Sequence, residues 1–140
     1  MKTFSLKIVS CNKLFYEGEC EIITFPMDDG DRSVLANHEG FIGVIDIGEV
    51  RFRVPGEKDY RRVVTSDGVI RVRKKMVDLV VYSAERPEDI DRFRAQAALE
   101  RAREQLQQKQ SIREYHVSRA SLSRAMARLK ASNYVGGSFK

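Results

Sequence analysis

The feature that most constrains this chain is a change of period at Ala84-Glu85-Arg86-Pro87. Before it, apolar residues recur at every second position. After it, they recur at every third or fourth, and no single regular element accommodates both patterns. Phe4, Leu6 and Ile8 alternate with Ser5 and Lys7, and Val50, Phe52 and Val54 alternate with Arg51 and Arg53. Such alternation describes strands with one buried and one wet face. Turn signals stand at Asp28-Asp29-Gly30, Pro55-Gly56 and Asp67-Gly68. The last lies between Tyr60–Thr65 and Val69–Val72, where it predicts a β-hairpin. With Val77–Tyr82 as a closing β-branched run and no helical pattern between, the spacing predicts an antiparallel sandwich or flattened barrel. A domain of this size buries only about 60–65% of its unfolded surface.

Past the boundary, Pro87 suits the first turn of a helix, and Glu88, Asp89 and Asp91 complement the positive end of its dipole. From Ile90 to about Lys109 there is neither Gly nor Pro, and good helix formers dominate. Ala95, Ala98, Leu99, Ala102 and Leu106 fall on one narrow stripe. A polar break at Gln110-Ser111 follows, after which Tyr115, Ser118, Leu122, Ala125, Met126 and Leu129 repeat the pattern until Gly136-Gly137, where the helix is expected to stop. The reading is therefore an all-β N-terminal sandwich or flattened barrel over residues 1–84 and a C-terminal antiparallel two-helix hairpin over 85–140. Stripes this thin bury little, so a closed hairpin should be marginally stable and open to redistribution by modest binding energies.

Charge is distributed as unevenly as periodicity. The net charge is +5, yet residues 1–84 hold 13 basic and 13 acidic side chains, and residues 85–110 hold six of each. The excess sits in residues 111–140, where six basic groups face only Glu114. A local pole of this kind suits an acidic partner surface or an anionic ligand.

Enzyme chemistry finds no foothold. His38 and His116 lie on different pieces with no cluster at metal-ligand spacing. No Gly-x-Ser-x-Gly turn and no Gly-x-x-x-x-Gly-Lys loop is present. Cys11 and Cys20 are expected to be reduced, buried thiols without a chemical role. No apolar run approaches the roughly 18 residues that cross a bilayer, so direct membrane insertion is not expected. A second lysine at Lys7 interrupts the stretch a secretory signal needs, which predicts a cytoplasmic protein.

Nine arginines lie between Arg86 and Arg128, against three lysines in residues 85–140. Asp91 and Arg94 are i, i+3 neighbours, Arg101 is two turns beyond Arg94 on the same flank, and Arg124 and Arg128 form an i, i+4 pair on a face opposite Leu122 and Met126. Arginine's rigid fork suits phosphate or carboxylate, although solvated surface arginines account for most such runs.

The segment Ala84–Ala95, set in this architecture, resembles the epsilon subunit family of bacterial F-type ATP synthases. The family motif Ile/Leu-Asp-x-x-Arg-Ala is met by Ile90, Asp91, Arg94 and Ala95. A second signature, Gly-x-x-Gly-x-Leu-Pro-x-His-x-Pro, appears as Gly30 to Gly40, with Ser33, Ala36 and Gly40 in place of the usual Gly, Pro and Pro. Ile47-Gly48-Glu49-Val50-Arg51 resembles the family's glycine turn into a strand.

The resemblance implies a non-catalytic subunit at the cytoplasmic face of the cell membrane, held there peripherally by the synthase. Its sandwich would dock on the gamma subunit and touch the c ring, with Asp31 and His38 as ring-facing positions. Its hairpin would fold down or extend beside gamma toward the alpha and beta subunits, where it restrains ATP hydrolysis. No cofactor is required. ATP is implied as a regulatory ligand, bound without hydrolysis by residues matching Glu85, Ile90, Asp91, Arg94, Ala95, Arg101, Arg124 and Arg128. Driving a two-state hairpin from 1:99 to 99:1 takes about 5.5 kcal/mol of discrimination, a demand for several arginine–phosphate contacts rather than one. Two other readings use the same tail: a nucleic-acid-binding module, disfavoured because Phe93, Tyr115, Tyr134 and Phe139 make no stacking platform, and a free-standing adaptor with a helical arm.

Overall fold

The computed structural model describes residues 2–11, 13–107 and 112–137, and of residues 112–115 and 134–137 the backbone alone. It divides into two compact units, Met1–Glu85 and Arg86–Lys140.

The first unit is a sandwich of two five-stranded sheets. β1 (Phe4–Ser10), β2 (Lys13–Cys20), β5 (Phe41–Ile45), β8 (Gly68–Val72) and β9 (Met76–Val81) form one sheet in the order β2-β1-β9-β8-β5. β3 (Ile22–Met27), β4 (Gly30–Leu35), β6 (Gly48–Arg53), β7 (Arg61–Thr65) and the short β10 (Ala84–Glu85) form the other, in the order β10-β7-β6-β3-β4. Phe4, Leu6, Ile8, Ile70 and Leu79 from the first sheet meet Ile23, Phe25, Val50, Phe52 and Val63 from the second, all at most 3% exposed. Burial of this continuous apolar layer is the main force holding the sheets together.

The turns at Asp28-Asp29-Gly30 and Pro55-Gly56 form as the sequence predicts, with Gly30 at φ 119° and Gly56 at φ 86°, a region that costs glycine little. Asp67-Gly68 does not make the predicted hairpin. β7 pairs with β6 and β10, whereas β8 pairs with β5 and β9, so the turn carries the chain from one sheet to the other. Its glycine serves a different purpose from a hairpin glycine: a Cβ at Gly68 would collide with the Val80 carbonyl and the Val81 backbone. The sandwich is also not wholly antiparallel, because β1 and β9 pair in parallel, with Leu6 opposite Val77 and Ile8 opposite Leu79. Cys20 is buried as expected, but Cys11 is exposed at the end of β1, and both are free thiols.

The second unit opens later than its composition suggests. Pro87–Asp89 form a 3-10 turn, Ile90 is extended at φ −84°, ψ 125°, and α1 runs only over Arg92–Gln107. Glu88 and Asp89 therefore sit in the preceding turn, and the acidic group at the start of α1 is Asp91. α2 (Ile112–Gly137) packs antiparallel against α1 and extends past its start, where the 3-10 turn lies against it. The helix continues through Gly136 and Gly137, whose cost of about 1 kcal/mol each falls at its last turn. Ala95, Leu99 and Ala102 are buried in α1, and Ser118, Ala125, Ala131 and Ser132 in α2. Ala98, Leu106, Leu122 and Leu129 are half-buried. Met126, expected in the stripe, is 51% exposed, since the seam follows the seven-residue spacing Ser118, Ala125, Ser132 and leaves position 126 on its flank. The break at Gln110-Ser111 and the side chain of Tyr115 lie outside the described residues.

Candidate functional site

The first turn of α1 is built around Asp91. Its Oδ1 accepts hydrogen bonds from the backbone amides of Phe93 at 2.9 Å and Arg94 at 3.1 Å, while its carbonyl accepts from Ala95 at 2.9 Å. This is an N-cap: two amides that no helical carbonyl can reach are satisfied, and a carboxylate stands at the positive end of the helix. The motif residues on either side are set by that cap. Ile90 is buried at 7% exposure ahead of it, Ala95 is fully buried in the seam, and Arg94 stays exposed.

Helical geometry then places the arginines. At about 100° per residue, Arg94 and Arg101 lie roughly 100–120° to one side of the buried stripe of α1. Arg124 and Arg128 lie roughly 60–100° to one side of the stripe of α2. Since the helices are antiparallel, these two flanks open on the same side of the hairpin. Counting equal rise from Gln107 and Ile112 brings Ala95 to about the level of Arg124, and Arg101 about 10 Å nearer the connection than Arg94. The second unit thus presents four arginines on one side of the hairpin, on which the Asp91 cap marks the start of α1. Arg124 Nη2 donates to Ser121 Oγ at 3.1 Å, a hydroxyl on the same flank that no sequence motif singles out. Glu85 belongs to the other unit: it is the last residue of β10, opposite Val64 of β7.

On the sandwich, Asp31 lies near the start of β4, exposed and 3.5 Å from Arg51. His38 lies in the β4–β5 connection, its Nδ1 2.7 Å from the Glu39 carbonyl and its ring 5.5 Å from that of Phe41. Arg32 also rests over Phe41, at 5.5 Å, so Phe41 bridges the surroundings of the two positions. The connection turns at Asn37, which takes φ 65° while the His38 amide reaches back to the Leu35 carbonyl at 3.3 Å. Asparagine tolerates this left-handed position, and the turn closes with Ala36 in place of a proline.

The two outer faces of the sandwich differ in chemistry. Across the β1-containing sheet, strand register aligns Leu14, Val9, Val80, Val69 and Val44 in one row. Leu14, Val80, Val69 and Val44 are 50%, 55%, 46% and 69% exposed, and Ile42 and Tyr82 beside them 72% and 75%. The row is not recognisable from sequence, because outward valines in a strand resemble inward ones until register assigns their face. Charges pair across strands on both sheets, Arg53 with Glu21 at 2.8 Å and Arg62 with Glu49 at 2.6 Å on the β3-containing one and Arg71 with Asp78 at 3.0 Å on the other, but only the latter carries the apolar row.

Two family models cover this architecture in order: the ATP synthase delta/epsilon chain β-sandwich domain over residues 3–87 and the delta/epsilon chain long α-helix domain over residues 88–133. A protein named ATP synthase epsilon chain from Ruminiclostridium cellulolyticum is 38% identical over 133 residues, spanning 95% of this chain and 98% of that one. The chain belongs to the ATP synthase epsilon family. The epsilon chain of Caldanaerobacter subterraneus is likewise 38% identical, over 135 residues that span 95% and 96% of the two chains. A chain in the Euglena gracilis mitochondrial ATP synthase OSCP/F1/c-ring structure shares the fold, with a TM-score of 0.80 at 23% identity over 93% of this chain and 81% of that one. Membership makes this epsilon-family chain a non-catalytic subunit of the synthase.

Proposed function

We propose that the chain is a central-stalk subunit of the F-type ATP synthase whose sandwich transmits rotation to the c ring and whose mobile hairpin, biased by ATP, restrains ATP hydrolysis. The observation that carries the ATP part is the shared flank of Arg94, Arg101, Arg124 and Arg128 beside the Asp91-capped start of α1. Four guanidinium groups along one flank suit a polyphosphate, and Ile90 and Ala95, buried at 7% and 0% exposure, fix the start of α1 from which that flank begins. Glu85 enters as a position that matches the family just ahead of the hairpin. Packing around small residues such as Ala95, Ala102, Ala125 and Ser118 holds the hairpin with little buried area, which leaves its closed state within reach of a ligand's binding energy.

The outer apolar row suits docking on gamma, and Asp31 and His38 on the β4 side suit contact with the c ring. The basic excess of residues 111–140 suits an acidic segment of beta when the hairpin extends. Peripheral attachment at the cytoplasmic face follows from that assembly, and no helix among the described residues is long and apolar enough to cross a membrane.

Titration of the full chain with ATP, followed by backbone amide resonances, tests the ligand. Shifts are expected at Asp91–Ala95 and Arg124–Arg128, and the double variant Arg124→Ala, Arg128→Ala should lose them. Unmoved amides at millimolar ATP would remove nucleotide binding from the proposal. Co-purification with gamma and the c ring tests the assembly separately.

A further inference from the structure

The stretch between the last strand pair of the sandwich and the hairpin is not a loose linker at its start. Tyr82 and Ser83 lie outside any strand ladder, yet all four of their backbone polar groups are bonded. The Tyr82 amide donates to Ser66 Oγ at 2.9 Å and the Ser83 amide to the same oxygen at 3.0 Å. The Tyr82 carbonyl accepts from the Cys11 amide at 3.2 Å, and the Ser83 carbonyl from the Ser66 amide at 3.0 Å. Ser66 Oγ in turn donates to the Asp67 carbonyl at 3.0 Å. A hydroxyl has one hydrogen to give and two lone pairs to receive, so this one is fully used. Ser66 is only 4% exposed, and no water is needed to complete the set. The next two residues, Ala84 and Glu85, then pair with Thr65 and Val64.

We infer that Ser66 is a clamp that fixes where the rigid sandwich ends, holding Glu85 in β10 and confining the hinge of the hairpin to Arg86 and beyond. Without the hydroxyl, the amides of Tyr82 and Ser83 lose their acceptor together, and a two-residue strand such as β10 has too few ladder bonds to stay paired alone. The tether between sandwich and hairpin then lengthens by about four residues, which lowers the effective concentration of one for the other and alters the balance of hairpin states. Only the consequence for hairpin regulation rests on the proposed function; the clamp rests on the bonds themselves.

Limited chymotrypsin digestion of the full chain reads the clamp directly, because Tyr82 presents a side chain that is 75% exposed on a backbone that is bound. Cleavage after Tyr82 should be about tenfold faster in Ser66→Ala, as expected for loss of roughly 1.4 kcal/mol of local protection. Ser66→Thr, which keeps the hydroxyl, should cleave as slowly as the wild type. Amide exchange at Tyr82 and Ser83 should accelerate in Ser66→Ala while exchange at Leu79 stays unchanged. Equal cleavage and equal exchange in Ser66→Ala and the wild type would overturn the clamp. Should that variant not fold, the wild-type chain decides: amides of Tyr82 and Ser83 exchanging as fast as the open hinge, rather than as slowly as β9, would overturn it too. A wild-type chain that ignores ATP but protects these amides would retire the nucleotide reading and leave the clamp standing.

Discussion

The two outer faces of the sandwich are made by the same alternation of residues and both carry cross-strand ion pairs, Arg71 with Asp78 on the β1-containing sheet among them, yet only that sheet adds a continuous exposed apolar row. On the β3-containing sheet, two ion pairs are half-buried within the domain: Arg53 and Glu21 are 29% and 14% exposed, and Arg62 and Glu49 are 25% and 27%. On the other, the row from Leu14 to Val44 is turned to solvent with no cover from its own unit's strands. Paired charges are finished as the domain folds, whereas a contiguous apolar row is the mark of a surface that expects a partner. The lesson is that outward positions in a sandwich are not equivalent, and that register, not composition, distinguishes them.

Breaking the apolar face should give the largest effect. Val69→Lys combined with Val80→Lys should weaken association with gamma by 100-fold or more, about 2.7 kcal/mol, because charges would be buried at the centre of the row. The same variant should keep its thermal midpoint close to that of the wild type, since neither side chain enters the core. Calorimetric titration of isolated gamma, with a melting curve as control, checks both parts; undiminished binding would assign the row another role. Breaking the charged face should cost less and cost only stability. Arg53→Ala should lower the urea-unfolding free energy by about 1 kcal/mol, since it leaves the partly buried Glu21 carboxylate without its partner, and should leave gamma binding unchanged.

The smallest effect separates the two cysteines and is a loss of stability that sets in only at alkaline pH. Burial pushes the Cys20 thiol up to about 11, whereas a thiol in an unfolded chain ionises near 8.5. Between these values the unfolded chain has given up a proton that the folded chain retains. The contribution is therefore complete below about pH 8.5 and declines as pH rises toward 11. Denaturation midpoints should fall from pH 8 to pH 10 more steeply in the wild type than in Cys20→Val, and iodoacetamide should label exposed Cys11 well before Cys20.

Much of the fold is legible in the residues alone. The period-2 runs of Phe4–Ile8 and Val50–Val54 are strands because one face must be buried, and the glycine-free stretch after Ile90 is a helix because nothing in it opposes one. What local pattern misses depends on residues far away in the chain. Asp67-Gly68 has the letters of a hairpin turn, but its glycine answers to Val80 across the sheet. Asp91 reads as one of several charges near a helix start, and only the extended Ile90 makes it the cap. The arginine flank can be drawn on a helical wheel, yet which side of the hairpin it shares with its counterpart depends on the antiparallel pairing of α1 and α2. The Ser66 bonds join two segments that no local pattern connects.

The parallel pairing of β1 with β9 sets an order on how the chain can mature during synthesis. β1 lies between β2 and β9, so the β1–β2 hairpin made first waits with one edge unpaired until residues 76–81 have left the ribosome. Nearly the whole sandwich must therefore be available before either sheet face is complete. The helical unit emerges immediately afterward, when the domain it is tethered to has only just become able to close.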